Sequence, residues 1–293
     1  MFYTGIYHTM LMPVDRTGEN PLWSDPEPYY DDFYAIWDTY RTSTPLITLI
    51  DPQRETDIVR SLINIYKRDG YMPDARSGNC NGRTQGGSNA EIVIADAFVK
   101  GLPNIDYHLA LEAMLKDATI PPGGNEEAEG RGGLIPYLEL GYIPYGIPRA
   151  GNRTIEYSYC DYAIALVAKG LGKTDLYQQY LKQSSNWKNL WRADYEHAGV
   201  KGFILPRDKE GNWLDKNTFR KLPYPETHLH IYPPLPLKAL GILLGGTCSF
   251  MKPPPGNIHS AFRMTYPDSL NNVAEKRSLT NGWIFSLTRV SSM

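Results

Sequence analysis

Two stretches decide the fold: residues 96–114, DAFVKGLPNIDYHLALEAM, and residues 165–183, ALVAKGLGKTDLYQQYLKQ. Each reads as the end of a helix, then Lys-Gly-Leu, a short link, an aspartate and a second helix. Glycine suits the left-handed residue that stops a helix, and aspartate can accept from the free N–H groups of the next first turn. Gly101 and Gly170 are the expected stops, and Asp106 and Asp175 the expected caps. Repeated αα-hairpins of this kind stack into a solenoid or close into an (α/α) toroid.

The helical pattern extends outward over most of residues 1–215. A helix is predicted from Pro52, which suits a first turn because its missing N–H costs nothing there. Ile58, Val59, Leu62, Ile63 and Tyr66 recur at helical spacing, and Gly70 stops the run. Further helices are predicted over residues 90–100, 107–116, 157–169 and 175–182. Three long polar linkers, residues 74–88, 121–134 and 141–154, separate them; loops of that length often carry function. Residues 202–213 read as a hairpin around the DKEGN turn. From residue 216 the chain is rich in Pro and Gly and loses all helical period, so an irregular, poorly ordered tail is expected over residues 216–293.

Composition narrows the function classes. The 293 residues carry a net charge of −2, which advertises no nucleic-acid partner. No apolar run reaches the roughly 18 residues a membrane span requires. The N-terminus lacks the charged and apolar regions of a secretory signal, and the compartment stays open. Cys80, Cys160 and Cys248 have no metal-ligand spacing. The 21 tyrosines are a supply of flat amphipathic surface of the kind sugars lie on, although a Tyr-rich core accounts for them equally.

Polar residues set in apolar context are the site candidates. Trp37, Asp38 and Arg41 offer a stacking plate, an acceptor and a cation. Asn89 and Glu91 open an apolar helix after Gly86-Gly87. Glu156 and Asp161 lie among tyrosines just before the apolar run AIALVA. Desolvation there would help a carboxylic acid hold its proton, as a general acid must. Plain helix capping would place the same residue types at the same spots. The sequon Asn152-Arg153-Thr154 is read as a chance occurrence.

Taken in order, IWDTYRTSTPLITLIDPQR, GGSNAEIVIADAFVKG, RTIEYSYCDYAIALVAKGLGK, SSNWKNLW and GFILPRDKEGNW resemble family 92 of the glycoside hydrolases, the calcium-dependent exo-α-mannosidases. The resemblance covers about residues 1–215. It implies part of an (α/α)6 toroid and, for the parent family, inverting hydrolysis of terminal α-linked mannose from N-glycans or mannoproteins. Glu156 matches the family's general acid in a TLEYAYDD motif. Cys160 replaces the first Asp of that motif and Asp161 keeps the second. Trp37 and Asp38 match a WD motif that helps bind the mannose, and Asn89, Glu91 and Asp161 are expected to line the sugar site. Calcium is the implied cofactor, but the expected ligands, and the general base, are missing after Trp213. Asp268 and Glu226 are poor substitutes.

Back-translation of residues 250–268 permits FYEATSWEYSLSIPHDVPG in another frame, close to the family segment expected there. The tail is therefore read as shifted out of frame somewhere between residues 213 and 250. A transcript encoding this tail without an indel relative to intact relatives would refute that. Without its base and half its toroid, the chain is expected to be poorly folded and essentially inactive. The alternatives are a non-catalytic glycan- or protein-binding module and another inverting (α/α)6 glycosidase.

Overall fold

A computed structural model describes residues 1–214 apart from Arg83, Gln85 and Ala198. The expectations for residues 216–293, including Cys248, Glu226 and Asp268, lie outside the described residues. In chain order the elements are α1 (Phe2–Thr9), β1 (Val14–Asp15), β2 (Tyr30–Asp31), α2 (Ile36–Thr39), α3 (Ser43–Ile50), α4 (Pro52–Asp69), β3 (Arg76–Ser77), β4 (Cys80–Asn81), α5 (Ala90–Lys100), α6 (Tyr107–Thr119), α7 (Leu134–Leu140), α8 (Ala150–Gly170) and α9 (Thr174–Gln183). A 3₁₀ turn (Asn186–Leu190) leads to β5 (Trp191–His197) and β6 (Val200–Ile204), an antiparallel pair.

Three αα-hairpins, α3/α4, α5/α6 and α8/α9, organise these elements. Helices α3, α5 and α8 pack side by side as one layer, and α4 and α6 meet behind them. This is half the complement of an (α/α)6 toroid. Local chemistry explains the boundaries. Asp51 accepts from the Arg54 N–H at 3.2 Å, Pro52 fills the first turn, and Gly70 stops α4 at φ +89°. Asp106 accepts from the N–H groups of His108 and Leu109, as expected of a cap. Ile58, Val59, Leu62 and Ile63 of α4 are all buried, as are Ile92, Val93 and Ile94 of α5.

Four expectations shift. Asp175 is not a cap: Lys173 occupies that position and Asp175 lies in the first turn of α9, where a carboxylate still favours the helix dipole. Gly170 is the last residue of α8, and the left-handed turn residue is Gly172. Gly170 is instead where α8 meets α5, since a Cβ there would run into the Phe98 ring. Helix α8 starts at Ala150, seven residues before the expected Tyr157. Arg149 sits at φ +61° just before it, and Tyr137, Ile143, Ala150 and Tyr157 close into one buried cluster. Burial thus overrides the weak helical signal of the Arg-Ala-Gly-Asn start. Thr154 is fully buried, accepting from the Ile143 N–H at 2.9 Å and donating to the Ala150 carbonyl, so the sequon is packed inside a helix.

The 202–213 hairpin is also rearranged. Strand β6 pairs upstream with β5, and the DKEGN turn is closed by a single bridge between Arg207 and Trp213. Among the described residues no helix is long and apolar enough to cross a membrane.

Candidate active site

Glu156 projects from the second turn of α8, and three side chains from two segments converge on it. Arg41 Nη2 donates to Oε1 at 2.8 Å. Tyr40 Oη and Asn89 Nδ2 both donate to Oε2, at 3.4 and 3.3 Å. Its side chain is 15% exposed, against 39% for Arg41, so the ion pair lies toward solvent and the amide toward the core. Burial and the Glu156 charge push the Tyr40 phenol far above its usual range, which keeps it a donor.

Backbone at residues 86–89 makes this approach possible. A Cβ on Gly87 would lie 2.6 Å from Asn89 Oδ1, and one on Gly86 would strike the Asn152 amide and crowd Glu156 Cγ at 3.3 Å. Asp74 fixes the same loop from below: its Oδ1 accepts from the Asn89 N–H at 3.2 Å, and its carbonyl accepts from the Ile36 N–H at 2.9 Å. The second bond anchors α2, which carries Trp37 and Asp38. Trp37 is half-buried and Asp38 exposed, one turn before Tyr40 and Arg41. The structure therefore brings Asn89 to Glu156, with Trp37 and Asp38 on α2 one turn before the Tyr40 and Arg41 that also reach it.

Glu91 and Asp161 depart from the sugar-contacting role expected of them. Both side chains are fully buried and point at Arg131, which bonds Glu91 Oε2 at 2.8 Å and Asp161 Oδ1 at 2.7 Å. Arg131 Nε also donates to Ser88 Oγ at 3.0 Å, and Tyr137 Oη donates to Asp161 Oδ2 at 2.7 Å. Burial pushes the Glu91 carboxyl up to about 7 despite the opposing cation, and raises Asp161 for the same reason. These groups brace the Ser88–Asn89 corner from beneath. Arg131 was not singled out from sequence. Two carboxylates inside apolar helices were the signal that a buried cation had to exist.

Cys160, one turn beyond Glu156, packs its thiol 3.6 Å from the Ser88 carbonyl. Burial pushes that thiol well up, so a neutral group stands where the resemblance expects a carboxylate. Among the described residues no three His, Cys, Asp or Glu side chains converge on a metal-sized site. Glu91 and Asp161 are committed to Arg131, so no calcium ligand is assigned among the described residues.

A carboxylate displayed from the side-by-side helices of stacked αα-hairpins, with tyrosine and arginine beside it, is a group placed where acid–base chemistry could act. The chain belongs to glycosyl hydrolase family 92, whose catalytic-domain model matches residues 1–250. A protein of Arthroderma benhamiae described as an uncharacterized secreted glycosidase is 41% identical over 228 residues, covering 72% of this chain and 26% of that protein. A family 92 inverting mannosidase of Bacteroides thetaiotaomicron is similar in structure, with TM-score 0.66 and 32% identity over 73% of this chain and 30% of its own. A family 92 α-mannosidase of the same organism, solved with mannoimidazole, gives TM-score 0.64 and 28% identity over 73% of this chain and 28% of its own. The chain thus spans under a third of the length of these relatives.

Proposed function

We propose that the described region supplies the acid side of an α-mannosidase site, acting on terminal α-linked mannose of N-glycans or mannoproteins. The observation that carries this is the set of contacts around Glu156. Asn89 and Tyr40 hold Oε2 from the buried side, while Arg41, alone among the described residues, engages Oε1 toward solvent. When Arg41 releases it, Oε1 is the oxygen free to carry a proton to the glycosidic oxygen. The Trp37 ring supplies a stacking face, and Asp38 an acceptor for sugar hydroxyls. Kinship to inverting mannosidases supports an inverting course, which needs a base some 6.5–9.5 Å from the acid with water between them. No described residue is assigned as that base. The calcium dependence implied by the resemblance remains part of this proposal, without a ligand set.

Purified protein, an aryl α-mannoside and titrated mannoimidazole test the reading. The expected result is mannoimidazole binding that survives Glu156→Gln, with turnover at least about 10²-fold below a complete site, since the missing base is worth roughly 10²–10⁴. Any turnover should vanish in Glu156→Gln. Turnover indifferent to that substitution would remove Glu156 from its role. Robust calcium-dependent release of mannose, abolished by Glu156→Gln, would show that the chain holds a complete site after all. Glycan binding with no turnover at all, unchanged by the substitution, would favour the non-catalytic module.

A further inference from the structure

Helix α5 begins without the cap its sequence offers. Asn89 stands at the N-cap position, where an asparagine side chain usually turns inward to accept from the first-turn N–H groups. Here those groups bond the backbone instead, Glu91 N–H to the Ser88 carbonyl at 3.1 Å and Ile92 N–H to the Asn89 carbonyl at 3.0 Å. The Asn89 side chain makes no cap bond. Its Nδ2 reaches across to Glu156 Oε2, and its Oδ1 is left buried with no hydrogen-bond partner among the described residues. An unpaired buried acceptor is unfavourable, so this pose of Asn89 needs support from outside α5.

Asp74 supplies that support. It is buried, and its Oδ1 accepts from the Asn89 N–H at 3.2 Å. In a capping box that bond comes from the third residue of the helix itself, which here is Ile92 and has no acceptor in its side chain. The strut that carries Asp74 is tied on several sides. The Asp74 carbonyl accepts from the Ile36 N–H at 2.9 Å, the Ala75 carbonyl from the Gly82 N–H at 2.7 Å, and the Arg76 N–H donates to the Phe33 carbonyl at 3.1 Å. The Met72 N–H bonds the buried Asp117 carboxylate on α6. The side chain of Asp74 thus holds the partner of Glu156, while its main chain holds α2, the helix of Trp37 and Asp38.

We propose that Asp74 is a positioning residue for Glu156: acting through Asn89, its carboxylate fixes the inner oxygen of the acid and so aims the outer one at the leaving oxygen of the substrate. The inference rests on the α-mannosidase reading and deepens it. Two consequences follow from the division between side chain and main chain. Losing the carboxylate misplaces the acid but leaves α2 anchored through the Asp74 carbonyl, so sugar binding is kept. The loss is also felt in proportion to how much the leaving group needs a proton, because only a basic leaving oxygen depends on the acid.

Two aryl mannosides test this on the full chain: methylumbelliferyl α-mannoside, whose leaving oxygen is helped by protonation, and dinitrophenyl α-mannoside, whose leaving group departs unaided. Asp74→Ala should lower kcat on the first by about 10-fold or more and on the second by less than about 2-fold. Calorimetry should show the affinity for methyl α-mannoside unchanged. Asp74→Asn, which keeps an oxygen facing the Asn89 N–H, should restore most of the lost kcat. Asn89→Ala should show the same selective loss, and Asp74→Ala added to it should cost no more. Asp74→Ser, smaller and still polar, makes the same comparison if the alanine variant does not fold. No loss on either substrate, equal loss on both, or weakened methyl α-mannoside binding overturns the positioning role while the mannosidase reading stands, since a merely structural aspartate gives one of those results. Additive losses in the double variant overturn the route through Asn89. A parent protein that hydrolyses neither substrate overturns the mannosidase reading and this inference with it.

Discussion

Arg131→Met is expected to destabilise the protein by about 3–5 kcal/mol, the usual cost of removing one partner from a buried ion pair. The arginine is 1% exposed and holds two fully buried carboxylates on different helices, Glu91 on α5 and Asp161 on α8. Methionine replaces much of the stem but leaves both acids without a counter-charge. It also removes the donor to Ser88, so Asn89 loses the brace that aims its amide at Glu156. Denaturant unfolding at neutral pH measures the loss. A second comparison isolates its cause. The triple variant Glu91→Gln, Arg131→Met, Asp161→Asn should be less destabilised than Arg131→Met alone, because no buried charge is stranded. A triple variant worse than the single one would show that packing, not charge, makes Arg131 indispensable.

Stability should fall as pH rises from about 4.5 to about 8, with Glu55 one contributor beside the buried Asp117, whose carboxyl is also pushed well up by burial. Glu55 lies in the first turn of α4, 1% exposed, with both carboxylate oxygens buried and unpartnered among the described residues. Burial, helped by the charge of Asp96 and opposed by Lys100 and Arg54, pushes its carboxyl up to about 8. In this window the folded chain keeps a proton that the unfolded chain has released. Unfolding therefore releases a proton and is favoured by rising pH. The contribution is complete below about 4.5 and lost on passing 8. An upward shift of this size corresponds to roughly 3–5 kcal/mol. Glu91 acts in the same direction up to about 7. Urea titrations at pH 5 and pH 8 read the slope directly, and Glu55→Gln should flatten it and stabilise the protein at pH 8. A slope unchanged in that variant would place the titration elsewhere.

How much of this was legible in the sequence depends on how local each cause is. The starts of α4 and α6 follow from side chains that cap their own helix, Asp51 and Asp106, so they could be read directly. The start of α8 depends on Tyr137 and Ile143, which are distant in sequence, and its own residues resemble a loop. The same division holds at the site. Glu156, Trp37 and Asp38 were visible because their neighbours in sequence carry a family pattern. Asn89 was legible as a site residue, but its contact with Glu156 depends on Gly86 and Gly87 folding the chain back. Glu91 and Asp161 were correctly singled out as unusual and given the wrong surroundings. Their partner sits in EEAEGRGG, a stretch whose glycines and glutamates look like open linker. Asp74 was read only as the start of a linker, and nothing local signals that its carboxylate reaches Asn89.

The Glu91–Arg131–Asp161 brace also sets how the protein responds to heat. Charges are hydrated with a strongly unfavourable entropy, so the cost of keeping them dry shrinks on warming, while apolar burial gains little more per unit area. The brace therefore grows in relative weight as temperature rises. Contacts between the two helical layers, which rest on apolar side chains, have no such compensation. Warming should loosen the outer hairpin arms before it loosens the corner that holds Asn89 against Glu156, leaving Glu156 in place on a softening frame.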